Sequence, residues 1–123
     1  MLNIQVLNNI SPLGLGKFSN ETYDVSSSDE NPDAILVRSA KMHDMEIGDS
    51  LKAVGRAGAG VNNIPLEMMS DKGVVVFNTP GANANAVKEL VISSMLLASR
   101  NICQGWDYVN KLPLENLKTT VED

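Results

Sequence analysis

The stretch LKAVGRAGAGVNNIPLEMMSDKGVVVF, Leu51 to Phe77, decides the fold class. Leu51 to Gly55 is a short apolar strand that stops at Gly58 and Gly60. Pro65 stands where a helix begins, a place at which its missing N–H is no loss. Leu66 to Asp71 continues as a helix and Gly73 ends it. Val74-Val75-Val76-Phe77 is then a β-branched and aromatic run of strand length. A strand, a crossover helix and a second strand make a unit whose two strands run parallel.

The same alternation extends in both directions. Ala34-Ile35-Leu36-Val37, bounded by Pro32 and Arg38, is apolar throughout, as a strand covered on both faces requires. Ile4 to Leu7 forms the first strand and stops at Asn8-Asn9-Ile10-Ser11-Pro12, a run of turn residues. Leu13 to Phe18 is a weak helical turn, Thr22 to Val25 an edge strand, residues 26–32 a polar loop, and His43 to Ser50 one or two helical turns. Ala84 to about Cys103 carries the longest helical signal, with Val87, Val91, Met95, Ala98 and Ile102 three and four residues apart. Leu90, Leu96 and Leu97 widen its apolar face, so burial on more than one side is expected. Asn83 or Asn85 is placed to cap this helix, and Glu89 lies near its positive end. Gln104 to Asp123 is more polar, with a helical start around Trp106 that Pro113 breaks. The class expected is α/β: an open, mostly parallel sheet with helices on both faces.

Composition narrows the function. Hydrophobic residues make up 43% and aromatic residues 4%, so the core is aliphatic. Ten Lys and Arg against fifteen Asp and Glu give a net charge of −5, a poor match to nucleic acid, whose phosphates need clustered cations. No apolar run approaches the ~20 residues of a membrane span, and the start lacks a basic segment followed by an apolar one, so neither membrane nor secretion is expected. One cysteine, Cys103, points to a reducing, cytoplasmic setting and reads as a small buried hydrophobe. His43, the single histidine, has no metal-type partner or Ser-plus-Asp arrangement near it and reads as a solvated surface residue. No metal site is expected.

In open parallel sheets ligands bind beyond the carboxyl ends of the strands. Four segments are directed there: Asn8-Asn9, Arg38-Ser39, Arg56 to Asn63, and Asn78 to Asn83. Gly58-Ala59-Gly60 reads either as a tight turn or as a backbone nest for a carboxylate or phosphate. It is not a G-x-G-x-x-G fingerprint, because position 63 is Asn63. Arg38 and Arg56 each read as a surface ion pair or as a planar fork for an anion, and two arginines beside a glycine turn favour the anion. Asn78-Thr79-Pro80-Gly81 is a rigid turn, with Asn83 before the long helix.

The order VRSA, GRAGAGVNNI and GVVVFNTPGANANAVKEL resembles the N-terminal part of the D-isomer-specific 2-hydroxyacid dehydrogenases, most of all those acting on 3-phosphoglycerate. The resemblance runs from about Ile35 to Ile102. It implies a flavodoxin-like substrate-binding domain over residues 1–100 and, over residues 101–123, a linker into a nucleotide-binding domain that this sequence does not contain. Arg38, Ser39, Arg56, Gly60, Val61 and Asn83 would then face an anionic substrate, 3-phosphoglycerate, and Ala59 would touch the cofactor, NAD. The family's acid–base histidine and dinucleotide fingerprint have no match here, so the chain by itself is expected to be inactive. The complete enzyme would be a homo-oligomer that oxidises 3-phosphoglycerate to 3-phosphohydroxypyruvate for serine biosynthesis. Two positions depart from the family: Asn62 stands where Asp is frequent, and Lys88 where a small residue is frequent. Lactate, glyoxylate and hydroxypyruvate enzymes share the outline. A stand-alone module that binds a small anion would use the same arginines and glycines. A phosphoacceptor signalling domain is disfavoured, because Asn8-Asn9 and Arg38-Ser39 stand where its carboxylates belong.

Overall fold

A computed structural model describes residues 1–113. Residues 114–123, the last part of the expected linker, lie outside the described residues. The chain divides into two compact units, Met1–Asn83 and Ala84–Asp123.

The first unit is built on five parallel strands. In chain order they are β1 (Leu2–Val6), β2 (Tyr23–Ser26), β3 (Ala34–Val37), β4 (Ala53–Arg56) and β5 (Val75–Phe77). Their order across the sheet is β2-β1-β3-β4-β5, and every pairing is parallel. This is the order of flavodoxin-like folds, with the reversal between β1 and β3. The edge strand expected at Thr22–Val25 is β2, and the central run Ala34–Val37 is β3. The carboxyl ends of β1, β3, β4 and β5 thus come to one edge.

The core lies on one sheet face. Ile35, Val37 and Val54 point into it, and Met42, Ile47, Leu51, Ile64, Met69 and Val74 close over them. Val37, Val54, Met42 and Met69 are fully buried. Two connections supply the lid. The first is α2 (Leu66–Asp71), preceded by Pro65 and followed by Gly73 at φ +70°, a left-handed conformation that suits glycine. The second is the segment from Ala40 to Leu51. One or two helical turns were expected within it, over His43 to Ser50, yet it forms only turns and bends. Its main chain makes two isolated turn bonds, Met45 N–H to Met42 O and Leu51 N–H to Gly48 O, and is otherwise tied to the fold: the Met42 N–H donates to Asn63 O, and the Lys52 N–H that follows donates to Asp33 O. Seating Met42, Ile47 and Leu51 in the core overrides the local helical tendency. The remaining helix of this unit, α1 (Pro12–Leu15), is four residues long.

The second unit holds α3 (Ala84–Ser99) and α4 (Ile102–Lys111). The single helix expected from Ala84 to Cys103 is broken at Asn101, whose φ of 50° is left-handed. Asparagine tolerates that conformation better than most residues. The helix around Trp106 is α4, and it ends at Leu112, extended as a residue before Pro113 must be. Two expectations fail here. No residue of α3 is buried, with Leu90 and Met95 about two-thirds exposed, and Cys103 is exposed. Among the described residues no helix is long and apolar enough to cross a membrane, and no group of three metal-type side chains converges.

Asp33 ties the amino edge of the sheet. Its carboxylate accepts from the Asn3 N–H at 3.0 Å and from Lys52 Nζ at 2.6 Å. The Lys52 bond, then the Asn3 bond, hold its pKa below the ordinary 3.8. A lowered carboxyl pKa contributes stability that is complete above the unfolded value and lost as pH falls through the folded one. Replacing Asp33 with Asn should therefore destabilise the chain at neutral pH by an amount that shrinks once pH drops below about 4. Urea midpoints of the two proteins measured across that range check it, and parallel curves would contradict it.

Candidate functional site

The carboxyl edge is sewn together by side-chain amides. Asn8, just beyond β1, points its Oδ1 at the turn that leaves β3. That oxygen accepts from three consecutive main-chain N–H groups, those of Arg38 at 3.1 Å and of Ser39 and Ala40 at 3.2 Å. Its Nδ2 donates to Ser39 Oγ at 2.8 Å. On the opposite side of the same turn, Asn63 Nδ2 donates to Ala40 O at 2.8 Å and reaches Arg38 O at 3.5 Å. The Arg38-Ser39-Ala40 turn is thus held through its N–H groups by one asparagine and through its carbonyls by another. These side chains supply the partners that a following helix would otherwise give the peptide groups at a strand end.

The glycine turn after β4 is bound to the end of β5. The Thr79 N–H donates to Gly58 O at 3.0 Å, Thr79 Oγ1 donates to Arg56 O at 3.3 Å, and Asn78 Nδ2 donates to Ala59 O at 2.8 Å. Gly58 has a φ of +153°, and a Cβ there would fall on Arg56 Nη1. That φ is one that residues with a side chain rarely adopt, which favours glycine, and the Arg56 guanidinium lies against this residue. Arg56 Nε is buried and finds no partner among the described residues. Neither Arg38 nor Arg56 forms an ion pair among those residues, where all four ion pairs use lysine.

Two depressions open at this edge. The larger, about 840 Å³, is lined by Gly60, Val61, Asn62 and His43 together with the start of α2 from Ile64 to Met68. The smaller, about 190 Å³, is lined by Arg56 with Leu36, Gly55, Phe77, Asn78 and Thr79 among others. The anticipated site residues are therefore divided. Gly60 and Val61 share the larger depression and Arg56 the smaller. Arg38, Ser39, Ala59 and Asn83 are exposed and line neither. His43 is exposed as anticipated, but it stands in the same depression as Gly60 and Val61, a proximity that their separation in sequence conceals. Asn8 and Asn63 are residues that sequence reasoning placed at this edge without giving either a role of its own. Their signal was position alone: Asn8 ends a strand, and Asn63 closes the glycine motif.

The described residues do not form a dinucleotide site. After Gly58-Ala59-Gly60 the chain runs on irregularly to α2 at Leu66, so no long helix offers its N-terminus beside the glycines. The Ala59 carbonyl is already taken by Asn78.

Comparison with known proteins gives a consistent result. Residues 5–120 match the family model described as D-isomer specific 2-hydroxyacid dehydrogenase, catalytic domain. A D-3-phosphoglycerate dehydrogenase of Methanocaldococcus jannaschii is 40% identical over 79 residues, 62% of this chain and 15% of that protein. A hydroxypyruvate reductase of Thermotoga maritima is 41% identical over 76 residues, 59% of this chain and 25% of that protein. Among solved structures, an NAD+-bound 3-phosphoglycerate dehydrogenase of Entamoeba histolytica aligns with a TM-score of 0.63 and 26% identity, over 78% of this chain and 38% of that one. The matched region is thus a quarter or less of the length of these two curated relatives.

Asn63 is the residue on which this edge most depends for stability. Replacing it with Ala leaves the Ala40 carbonyl without its donor, and a lost hydrogen bond of this buried kind costs about 1–3 kcal/mol. The free energy of unfolding in urea should fall by that amount, while Asn62→Ala, an exposed neighbour, should change it by less than about 0.5 kcal/mol.

Proposed function

The chain belongs to the D-isomer specific 2-hydroxyacid dehydrogenase family, and from that premise we propose that it is the substrate-binding part of an NAD-dependent dehydrogenase of 3-phosphoglycerate. The observation that carries the reading is the Arg38-Ser39 turn. Its main chain is fixed by Asn8 and Asn63, while its guanidinium is exposed and free of ion pairs among the described residues. In a chain of net charge −5 an arginine so held is suited to a carboxylate or phosphate, which it meets with two parallel N–H bonds. Gly60 and Val61, in the wide depression beside His43, offer main-chain groups to the other end of such a substrate.

The work of this chain is binding and orientation. Arg38 and Ser39 hold one anionic group, and Gly60 and Val61 the other. Arg56 and Asn83 contribute from the rim, and Ala59 supplies a wall for the cofactor. The dinucleotide itself is held elsewhere in the complete enzyme, because the residues described here do not cradle one. The relatives' greater length supports a nucleotide-binding domain as the partner of this one. The boundary we infer near residue 100 coincides with the end of α3 at the left-handed Asn101, which is suited to a hinge. A homo-oligomeric, cytoplasmic enzyme of serine biosynthesis is the setting consistent with these inferences.

A second reading, a reductase of hydroxypyruvate or glyoxylate, is favoured by the similarity to the Thermotoga maritima protein. The two differ in whether the substrate carries a phosphate. In the complete enzyme, kcat/KM for 3-phosphoglycerate should exceed that for the unphosphorylated glycerate by at least about tenfold, the effect of one charge-assisted contact. Equal values would favour the reductase. Arg38→Ala should lower kcat/KM for 3-phosphoglycerate about 10–150-fold, and Arg38→Lys should recover only part of it, because a point charge does not reproduce the fork. A loss of less than twofold with the fold intact by circular dichroism would remove Arg38 from the site.

A further inference from the structure

We propose that Asn8 is a positioning residue for substrate binding: its amide turns the Ser39 hydroxyl into a hydrogen-bond donor aimed at the anion. This rests on the substrate-binding reading of the Arg38-Ser39 turn given above. The orientation of the amide is fixed by its partners. Three N–H groups converge on one end of it, so that end is the oxygen, since an amide nitrogen cannot accept from them. The other end is therefore the NH2 group, and it donates to Ser39 Oγ at 2.8 Å. A hydroxyl that accepts at its oxygen keeps its own hydrogen for another partner. Ser39 is exposed, and among the described residues nothing accepts that hydrogen. It is left for a ligand on the side where Arg38 also stands.

Asparagine is the residue this arrangement requires. Aspartate would serve the turn at least as well, because a carboxylate oxygen accepts from three N–H groups more strongly than an amide oxygen does. Its second oxygen, however, is an acceptor only. It would take the Ser39 hydrogen for itself, reverse the polarity of the hydroxyl, and set a negative charge beside the bound anion. An amide holds the turn and stays neutral; a carboxylate holds the turn and repels the substrate. The geometry thus separates the structural role of Asn8 from its role in binding.

That separation gives the test. In the complete enzyme, Asn8→Asp should keep the thermal midpoint of the parent, raise KM for 3-phosphoglycerate by about tenfold or more, and leave kcat within about twofold. Ser39→Ala, a small change at an exposed position, should raise KM to a similar extent. In the Ser39→Ala background, Asn8→Asp should raise KM by a smaller factor than it does in the parent, because the share of its effect that acts through the Ser39 hydroxyl is already lost and only the charge remains. Asn8→Asp with an unchanged KM overturns the proposal. So does Ser39→Ala with an unchanged KM, even where Asn8→Asp fails to fold. Full additivity in the double variant overturns it as well, since the carboxylate would then act by charge alone. A parent enzyme inert toward 3-phosphoglycerate but active on hydroxypyruvate overturns the choice of substrate only. The same three variants, assayed on that carboxylate, then decide the role of Asn8 by the same criteria.

Discussion

Asn63 is the one polar residue among the described ones that is counted with the core, and the carboxyl edge is arranged around it. Parallel strands that end at one edge leave several loops with unpaired peptide groups, and most α/β proteins answer with a helix after each strand. Here no helix follows β3. The loop runs irregularly over the core, and side chains have to bond its main chain. Asn63 does this from beneath: its Nδ2 holds Ala40, and its own carbonyl receives the Met42 N–H. One residue from the loop after β4 thereby fixes both the turn that carries Arg38 and the start of the segment that places Met42 in the core. Its Oδ1 is buried and unpaired among the described residues, so the arrangement carries a cost that the carbonyl contacts offset.

The sheet was legible in the sequence because its strands are apolar and punctuated. Ala34–Val37 and Val75–Phe77 are short β-branched runs between turn residues, and the crossover between β4 and β5 carries its own start and stop at Pro65 and Gly73. Helices were less legible. His43 to Ser50 was expected to make one or two helical turns, but the apolar residues in and beside it, Met42, Ile47 and Leu51, face a common core without a helix to present them. Periodicity reports which side chains are buried; it does not report whether the main chain bonds to itself. The continuous helix through Cys103 failed for a different reason. The apolar pattern runs across Arg100-Asn101 unbroken, and the signal for a break is a single asparagine that accepts a left-handed φ.

At the site, the residues proposed to meet a ligand were legible and those that hold them were not. Arg38, Arg56 and the glycines announce themselves by chemistry. Asn8 and Asn63 announce nothing, because an asparagine after a strand or at the end of a glycine run is ordinary turn chemistry. Their importance comes from contacts across about thirty residues, between Asn8 and Ser39, and more than twenty, between Asn63 and Ala40. Such contacts exist only once the sheet has formed. Supporting residues of this kind lie beyond a motif's reach for that reason.

The two arginines, alike in sequence, are unlike in the structure. Arg38 has a fixed main chain and a free guanidinium; Arg56 has its guanidinium packed against Gly58, with Nε buried and unpaired among the described residues. A free guanidinium on a rigid turn reorients to meet an anion at little cost to the fold. A packed one is already committed in direction, and an unpaired buried N–H favours whatever acceptor reaches it. Arg56 also lines a small, mostly apolar depression with Leu36 and Phe77, where a charge-assisted bond is stronger than in water. The pair therefore combines one adaptable donor, exposed and outside both depressions, and one preset donor that lines the smaller of them.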